Sequence, residues 1–441
     1  MNYEYEEEIF SHLEKPESLE MLYRQALRKG EARNFAEAIE KLYSANPQNL
    51  LLAAWYYRLR EEAIARAAPG RLPLHWLLAV LFAIVNGFIF WWLSDFRLMA
   101  RNHIPLFLLY WAPIAAALIL AFIFFNRRQF LEYFVLALIA LALVGFWVYF
   151  ADFLIKREIF WKQYLTLGAI HLVFLSWAAI GLYVLKGQYD VESRFAFLAK
   201  SLEVLVMGGL MGIVLGIFTS ISMLLFSTLN LYLSDPVSRI FYTGGAGCIP
   251  VLAVASVYDP LRRLREQSFA AIFRFTTLLL RFFLLPSILI LFVYIVLMPF
   301  NFMKPFFNRD VLIAYNAMLF AVVALLLWTT PVEKGELSEK LSRWLRYGHI
   351  GLTLLALIVS VYAFSAIIYR TWWDGLTPNR LTVIGWNLIN TVLLLFLLVR
   401  EIKAREMWTD AAHKTFAQAM PVYAGWSFLL LLALPLIFMG G

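Results

Sequence analysis

The sequence predicts an all-α, polytopic transmembrane helix bundle with a small helical head at its N-terminus, and three observations lead there. Of 441 residues, 62% are hydrophobic and 15% charged, where soluble domains run nearer ~45–50% and ~25%. Apolar runs long enough to cross a ~30 Å hydrocarbon core recur from residue 72 onward. Lys and Arg concentrate in alternate connections between those runs, as they do when one face of a membrane is cytoplasmic. This composition excludes a soluble enzyme, a disordered chain and a secreted disulfide scaffold. The single cysteine, Cys248, forms no bridge within the chain.

The formal net charge of +8 is unevenly placed. Residues 1–71 carry 10 Lys/Arg and 12 Asp/Glu, and the other 370 carry 28 and 18. The basicity therefore belongs to short loops of the apolar part, which fits membrane topology rather than nucleic-acid binding. Glu6, Glu7 and Glu8 stand where a signal peptide would be basic, and no apolar segment follows, so residues 1–71 are expected to form a cytoplasmic head. Three helical stripes are legible there: Leu19, Leu22, Tyr23 and Ala26, ended by Gly30; Phe35, Ile39, Leu42 and Tyr43, ended by Asn46-Pro47; and Leu52, Trp55, Tyr56 and Leu59, running to Pro69-Gly70. The stretch from Asn34 to Glu40, with the turn at Asn46–Asn49, resembles a tetratricopeptide helix and its closing turn, with barely one unit and a short interval from Ala38 to Pro47. It reads either as a docking module or as a small helical cap, and the cap is favoured.

From residue 72 the spans are read at about 72–93, 104–125, 130–150, 164–185, 204–229, 238–257, 276–299, 310–330, 349–368, 382–399 and 421–438, eleven in all. With the N-terminus inside, the cytoplasmic loops hold 17 Lys/Arg and the outer loops 10, so the N-in, C-out orientation has the expected sign. The sixth span is the weakest, and removing it would invert everything after it.

Several residues stand out within the spans. Gly208, Gly212 and Gly216 recur at four-residue intervals, the pattern that lets another helix approach closely, and are read as helix packing. The run from Gly244 to Pro250 is read as a kink rather than a discontinuous transporter helix. Ionisable groups inside a bilayer are candidates for function. Glu132 is expected near the interface, Arg281 is expected to extend to the basic loop, and His171 is a proton carrier or, as the favoured reading, a hydrogen-bonded structural residue. Asn86, Asn316, Asn387 and Asn390 are expected to bond between helices.

No Walker lysine loop, Rossmann glycine pattern, GxSxG elbow or HxxxH metal spacing occurs. The expectation is therefore no cofactor, no metal site and no catalytic residue, which leans away from an enzyme. The outer loop Tyr369–Arg380 is the most distinctive stretch. Thr377 and Pro378 suit N-cap and N1 of the tenth span, Gly375 suits a sharp turn, and Trp372 and Trp373 suit an aromatic belt. Arg370, Asp374 and Arg380 are candidates to pair or to hold an anionic group, with loop architecture the simpler account.

The string Tyr369-Arg370 with Gly375-Leu-Thr-Pro-Asn-Arg380 resembles the signature R…YGLTxxR of a bacterial membrane family, domain of unknown function 4153. Arg281–Pro286 leading to Tyr294, and Leu224–Phe226, are similar to it as well. The resemblance covers about residues 195–400 and departs at Trp373-Asp374, where the family has tyrosine before the glycine. It implies a fold and a bacterial inner membrane, and no chemistry. Two functions follow from these readings: a permease-like protein for a small solute or lipid, with its path near the fifth, sixth, seventh and tenth spans, or a non-catalytic membrane subunit or scaffold docking a protein partner through the head. Lipid chemistry near the outer loop comes third.

Overall fold

The computed structural model describes residues 3–13, 16–29, 31–66, 74–231, 233–331 and 338–439. The chain divides into two compact units, Met1–Pro73 and Leu74–Gly441. Gly30, Pro69 and Gly70, expected to end two helices of the head, lie outside the described residues.

Among the described residues, the first unit has four helices rather than three: α1 (Tyr3–Ser11), α2 (Pro16–Lys29), α3 (Ala32–Ala45) and α4 (Leu50–Arg66). The nine residues of α1 are too few to display a stripe, yet its Ile9 is buried with Leu19, Phe35 and Leu52. The rings of Tyr23, Phe35 and Trp55 meet at 5.3–5.7 Å in the same core. Asn49 starts α4 by accepting from the N–H groups of Leu51 and Leu52.

The second unit contains α5 (Leu74–Leu93), a two-residue hairpin pair β1 (Met99–Ala100) and β2 (Ile104–Pro105), α6 (Leu106–Arg127), α7 (Leu131–Ala151), α8 (Glu158–Val184), α9 (Val191–Thr228), α10 (Asp235–Arg239), α11 (Gly245–Val257), α12 (Ala271–Leu297), α13 (Lys304–Phe307), α14 (Arg309–Thr329), α15 (Glu339–Asp374), α16 (Pro378–Ala404) and α17 (Trp408–Ile437). Among the described residues, ten helical stretches are long and apolar enough to cross a membrane, against the eleven expected. The chain is a multi-pass, helical membrane protein. The tenth stretch, Pro378–Ile437, holds two helices, because Arg405 at φ 50° breaks it. There α17 folds back on α16: Arg400 reaches Gln418 at 2.6 Å, and Gly385 leaves room for the Trp426 indole.

Two helices exceed what a bilayer needs. With 38 and 36 residues, α9 and α15 are ~57 Å and ~54 Å long, against a ~30 Å core. Their first turns therefore extend beyond the apolar runs legible in the sequence, at the end of the bundle where the loops are richest in Lys and Arg. That end is called the basic end below.

The sixth expected span is a single helical run. A five-residue π turn, Ile240–Gly244, joins α10 to α11, and α11 continues through Pro250. Gly244 and Gly247 face α5, and Gly245 faces Leu215 of α9: a Cβ on Gly247 would stand 2.7 Å from Gly87 Cα and 2.9 Å from Asn86 O. The buried Asn86 amide donates to Gly247 O at 2.6 Å across the same seam. The Gly208 stripe behaves differently along its length. Gly208 and Gly212 face Ile249 of α11, and Gly208 also faces Ala253, whereas Gly216 has nothing within 4 Å. Because backbone rather than a flexible side chain opposes Gly247, Gly247→Ala is expected to lower stability by about 1–3 kcal/mol. Gly216→Ala should be neutral or stabilising, by up to ~1 kcal/mol. Thermal unfolding of both variants in the same detergent checks the pair, and an equal loss would refute the contact.

Candidate functional site

The site is built around a cavity of about 460 Å³ on the basic-end side of the second unit. It is walled by α6, α8, α9, α11, α14, α16 and α17, and the seventh expected span, α12, contributes nothing to the wall. On α8 the lining runs from Val173 to Val184, which at 1.5 Å per residue is ~16 Å, or about half the thickness of a bilayer core. The wall is almost wholly aliphatic and aromatic, and Lys200 is its one charged residue. Such a space accepts an apolar chain and offers no hydration substitute for a polar solute.

The deep end is an aromatic floor. Phe174, Phe320 and Tyr423 line the cavity, and the Trp386 ring lies behind them at 5.3, 5.4 and 5.1 Å. Trp386 is in turn fixed by His171, which accepts the indole N–H at Nε2 (3.0 Å) and donates from Nδ1 to Leu167 O (2.7 Å). Because an indole N–H only donates and a carbonyl only accepts, these partners select the neutral Nδ1–H tautomer. His171 is 1% exposed and both its nitrogens are satisfied, so it positions the floor. Trp386→Phe removes the donor and strands Nε2 in a buried site, at a cost of about 1–3 kcal/mol. Trp386→Phe/His171→Phe should recover part of that loss in thermal unfolding, and a double variant no better than the single would contradict the pairing. Tyr423 donates to Asn390 across α16 and α17, and Ser360 of α15 donates to Asn387 at 3.4 Å. Asn316 instead bonds within its own helix, to Leu312 O.

At the basic end the cavity is roofed by the segment 258–270, which supplies Tyr258 and Leu264 to the lining. A buried ion pair on α9 holds that segment. Lys200 Nζ donates to Glu203 at 2.6 Å and to Ser268 O at 2.8 Å, and Glu203 accepts the Ala270 N–H at 2.5 Å. Both side chains are at most 5% exposed. Gln267 closes the segment internally by donating to Asp259 O and Arg262 O. Outside the pair, Arg265 engages Asp190 and Glu192, and Asp190 caps α9 through the Ser193 N–H. Burial raises the Asp190 carboxyl, but the Ser193 N–H and hydroxyl and the Arg265 guanidinium outweigh it and hold the group below the usual carboxylate range.

A second buried polar cluster joins α12, α14, α15 and α16. His349 and Glu401 are fully buried, with Nδ1 and Oε1 3.3 Å apart. Thr329 donates its hydroxyl proton to Leu325 O, so its oxygen accepts from His349 Nε2 at 2.8 Å. Arg281, 8% exposed, donates from Nε to Thr329 O at 3.3 Å. This corrects the expectation that Arg281 extends to the aqueous loop. Glu132, by contrast, is exposed and pairs with Lys186 at 2.8 Å.

The outer-loop candidates separate. Arg380 pairs with Asp374 at 2.7 Å and donates to Gly375 O at 2.6 Å, whereas Arg370 joins neither. Thr377 caps α16 through the Arg380 N–H, with Pro378 at N1 and Gly375 at φ 80°. Trp372 and Trp373 are 85% and 70% exposed. These contacts close a turn. Among the described residues, no three His, Cys, Asp or Glu side chains converge.

The sequence reading missed Lys200, Glu203, His349 and Glu401. The first pair carries a signal, opposite charges three residues apart on a helix, obscured because Lys200 counts equally well as a loop charge. The second pair lies 52 residues apart and has no local signature. No family model matches the chain, and no curated protein or solved structure matches it.

Proposed function

We propose that the protein is a permease-like protein of a bacterial cytoplasmic membrane that admits a lipid-like molecule to the cavity between α8, α9 and α14. The apolar, half-membrane-deep cavity carries this reading, because a polar solute would meet an almost wholly apolar wall whose one cation, Lys200, is already paired with Glu203. Mass spectrometry of the gently solubilised full chain tests it. A reproducible co-purifying lipid, lost when Ala324 is changed to Trp, is the expected result, and a lipid-free chain refutes it.

In this reading α16 and α17 each cross the membrane, giving eleven crossings with the N-terminal helices in the cytoplasm and the C-terminus outside. The resemblance to domain of unknown function 4153 over about residues 195–400 agrees with a bacterial location. With Cys248 replaced by Ala, a cysteine at Asp374 should react with an impermeant thiol reagent from outside, and one at exposed Arg262 only after permeabilisation. The reverse pattern overturns the orientation.

A second reading, a subunit or scaffold of a larger assembly, draws on α9 and α12. Ile217, Phe218, Ile221 and Leu224 on α9, and Phe282, Phe283, Leu289 and Ile290 on α12, are all more than half exposed. Lipid suits these faces as well as a protein partner does. A chain that sediments as a monomer from native membranes, unchanged by loss of residues 1–70, rules this reading out.

A further inference from the structure

A second cavity, also about 460 Å³ and polar where the first is apolar, opens at the basic end among the turns α6–α7, α8–α9 and the segment after α11. Arg127, Lys186 and Arg263 supply its charge. The two helix turns are sharply folded, with Arg128, Phe130 and Gly187 at φ 49°, 62° and 73°. That geometry brings two cations onto one ring: the Arg127 guanidinium is 5.4 Å from the Phe130 centroid and the Lys186 ammonium 4.2 Å. Lys186 has a carboxylate in Glu132. Among the described residues, neither Arg127 nor Arg263 has one. Asp259, four residues before Arg263, is taken by Arg262 at 3.3 Å. Three cations that share a single carboxylate leave an excess of positive charge that favours an anion between them, and the two guanidinium groups suit the oxygens of a phosphate.

The position of this pocket gives it meaning. Each segment that carries its charge continues one that walls the apolar cavity. Ile123 lies one turn before Arg127, Val184 two residues before Lys186, and Leu264 directly after Arg263. A basic pocket thus stands at the end of an apolar one, in the half of the protein where lipid headgroups would lie.

We propose that Arg127, Lys186 and Arg263 hold the phosphate of an anionic amphiphile whose chain occupies the apolar cavity. The proposal rests on the cavity reading above and adds the charge of the ligand. A free phosphate and a phospholipid headgroup share this chemistry, and the probes below separate them.

The test is binding to the purified full chain in a neutral detergent, with dodecyl phosphate, dodecanol and inorganic phosphate as probes. Dodecyl phosphate should bind saturably and at least about tenfold more tightly than either of the others, since only it uses both halves of the site. Arg127→Gln/Arg263→Gln should weaken dodecyl phosphate about tenfold or more and leave dodecanol unchanged, while Arg127→Lys/Arg263→Lys, which keeps the charge but loses the planar fork, should fall between wild type and the glutamine variant. Both positions are half-buried or exposed, so an unchanged melting temperature without ligand verifies the fold. Equal binding of dodecyl phosphate to wild type and the glutamine variant overturns the headgroup site and leaves the cavity standing. Inorganic phosphate binding as tightly as dodecyl phosphate overturns the amphiphile and leaves a free-anion site. Retention of dodecanol by Ala324→Trp, with dodecyl phosphate still lost in the glutamine variant, overturns the cavity reading alone.

Discussion

Lys200→Met or Glu203→Leu, made singly, should each lower the unfolding free energy by about 3–5 kcal/mol, because each leaves its partner as an uncompensated charge in a dry site. Coulomb attraction is strong there, but so is the loss of hydration, and removal of one ion keeps the second penalty with nothing to offset it. The double variant should recover part of the loss. It will not recover all of it, since Ser268 O and the Ala270 N–H also depend on this pair. Thermal unfolding in one detergent checks the series. The segment 258–270 should also become protease-sensitive in each single variant, as the pair ties it to α9. Additive effects in the double variant would show that the two side chains do not act as a pair.

The second large effect is expected at Glu401. With His349 Nε2 committed to Thr329, the contact from Nδ1 to Oε1 is a hydrogen bond that needs one proton. Glu401→Ala removes the partner and opens a void among α15, α16 and the Trp408 ring, which lies 4.9 Å from the imidazole. A loss of about 2–4 kcal/mol follows from the stranded ring nitrogen and the cavity together. Glu401→Gln keeps the shape, and its amide can donate to Nδ1, so its cost should be no more than about 1.5 kcal/mol. Glutamine as damaging as alanine would show that the site requires a charge, against the hydrogen-bond account.

Much of this architecture is legible in the sequence, because a bilayer imposes a length and an apolarity that any window reveals. Helix ends are less legible. The first turns of α9 and α15 extend past their apolar runs on polar residues, so a hydropathy reading starts both spans ten or more residues late. The Pro378–Gly375 neighbourhood was readable because caps and turns are local chemistry. The seam at Gly87 and Gly247 was not, since its meaning depends on two glycines 160 residues apart that face each other. The same holds for the candidate site. His171 is visible as an anomaly in an apolar run, but the Trp386 that defines its role is on another helix. Arg127, Lys186 and Arg263 read as topological charge one loop at a time, and only the fold gathers them around one pocket.

The central claim, that the cavity between α8, α9 and α14 takes a lipid-like chain, is tested most directly by photolabelling in native membranes with a diazirine-bearing fatty alcohol. The account predicts labelled peptides from the segments 173–184 and 320–327, and loss of that labelling in Ala324→Trp. Labelling confined to the outer faces of α9 and α12, and unaffected by Ala324→Trp, would contradict it.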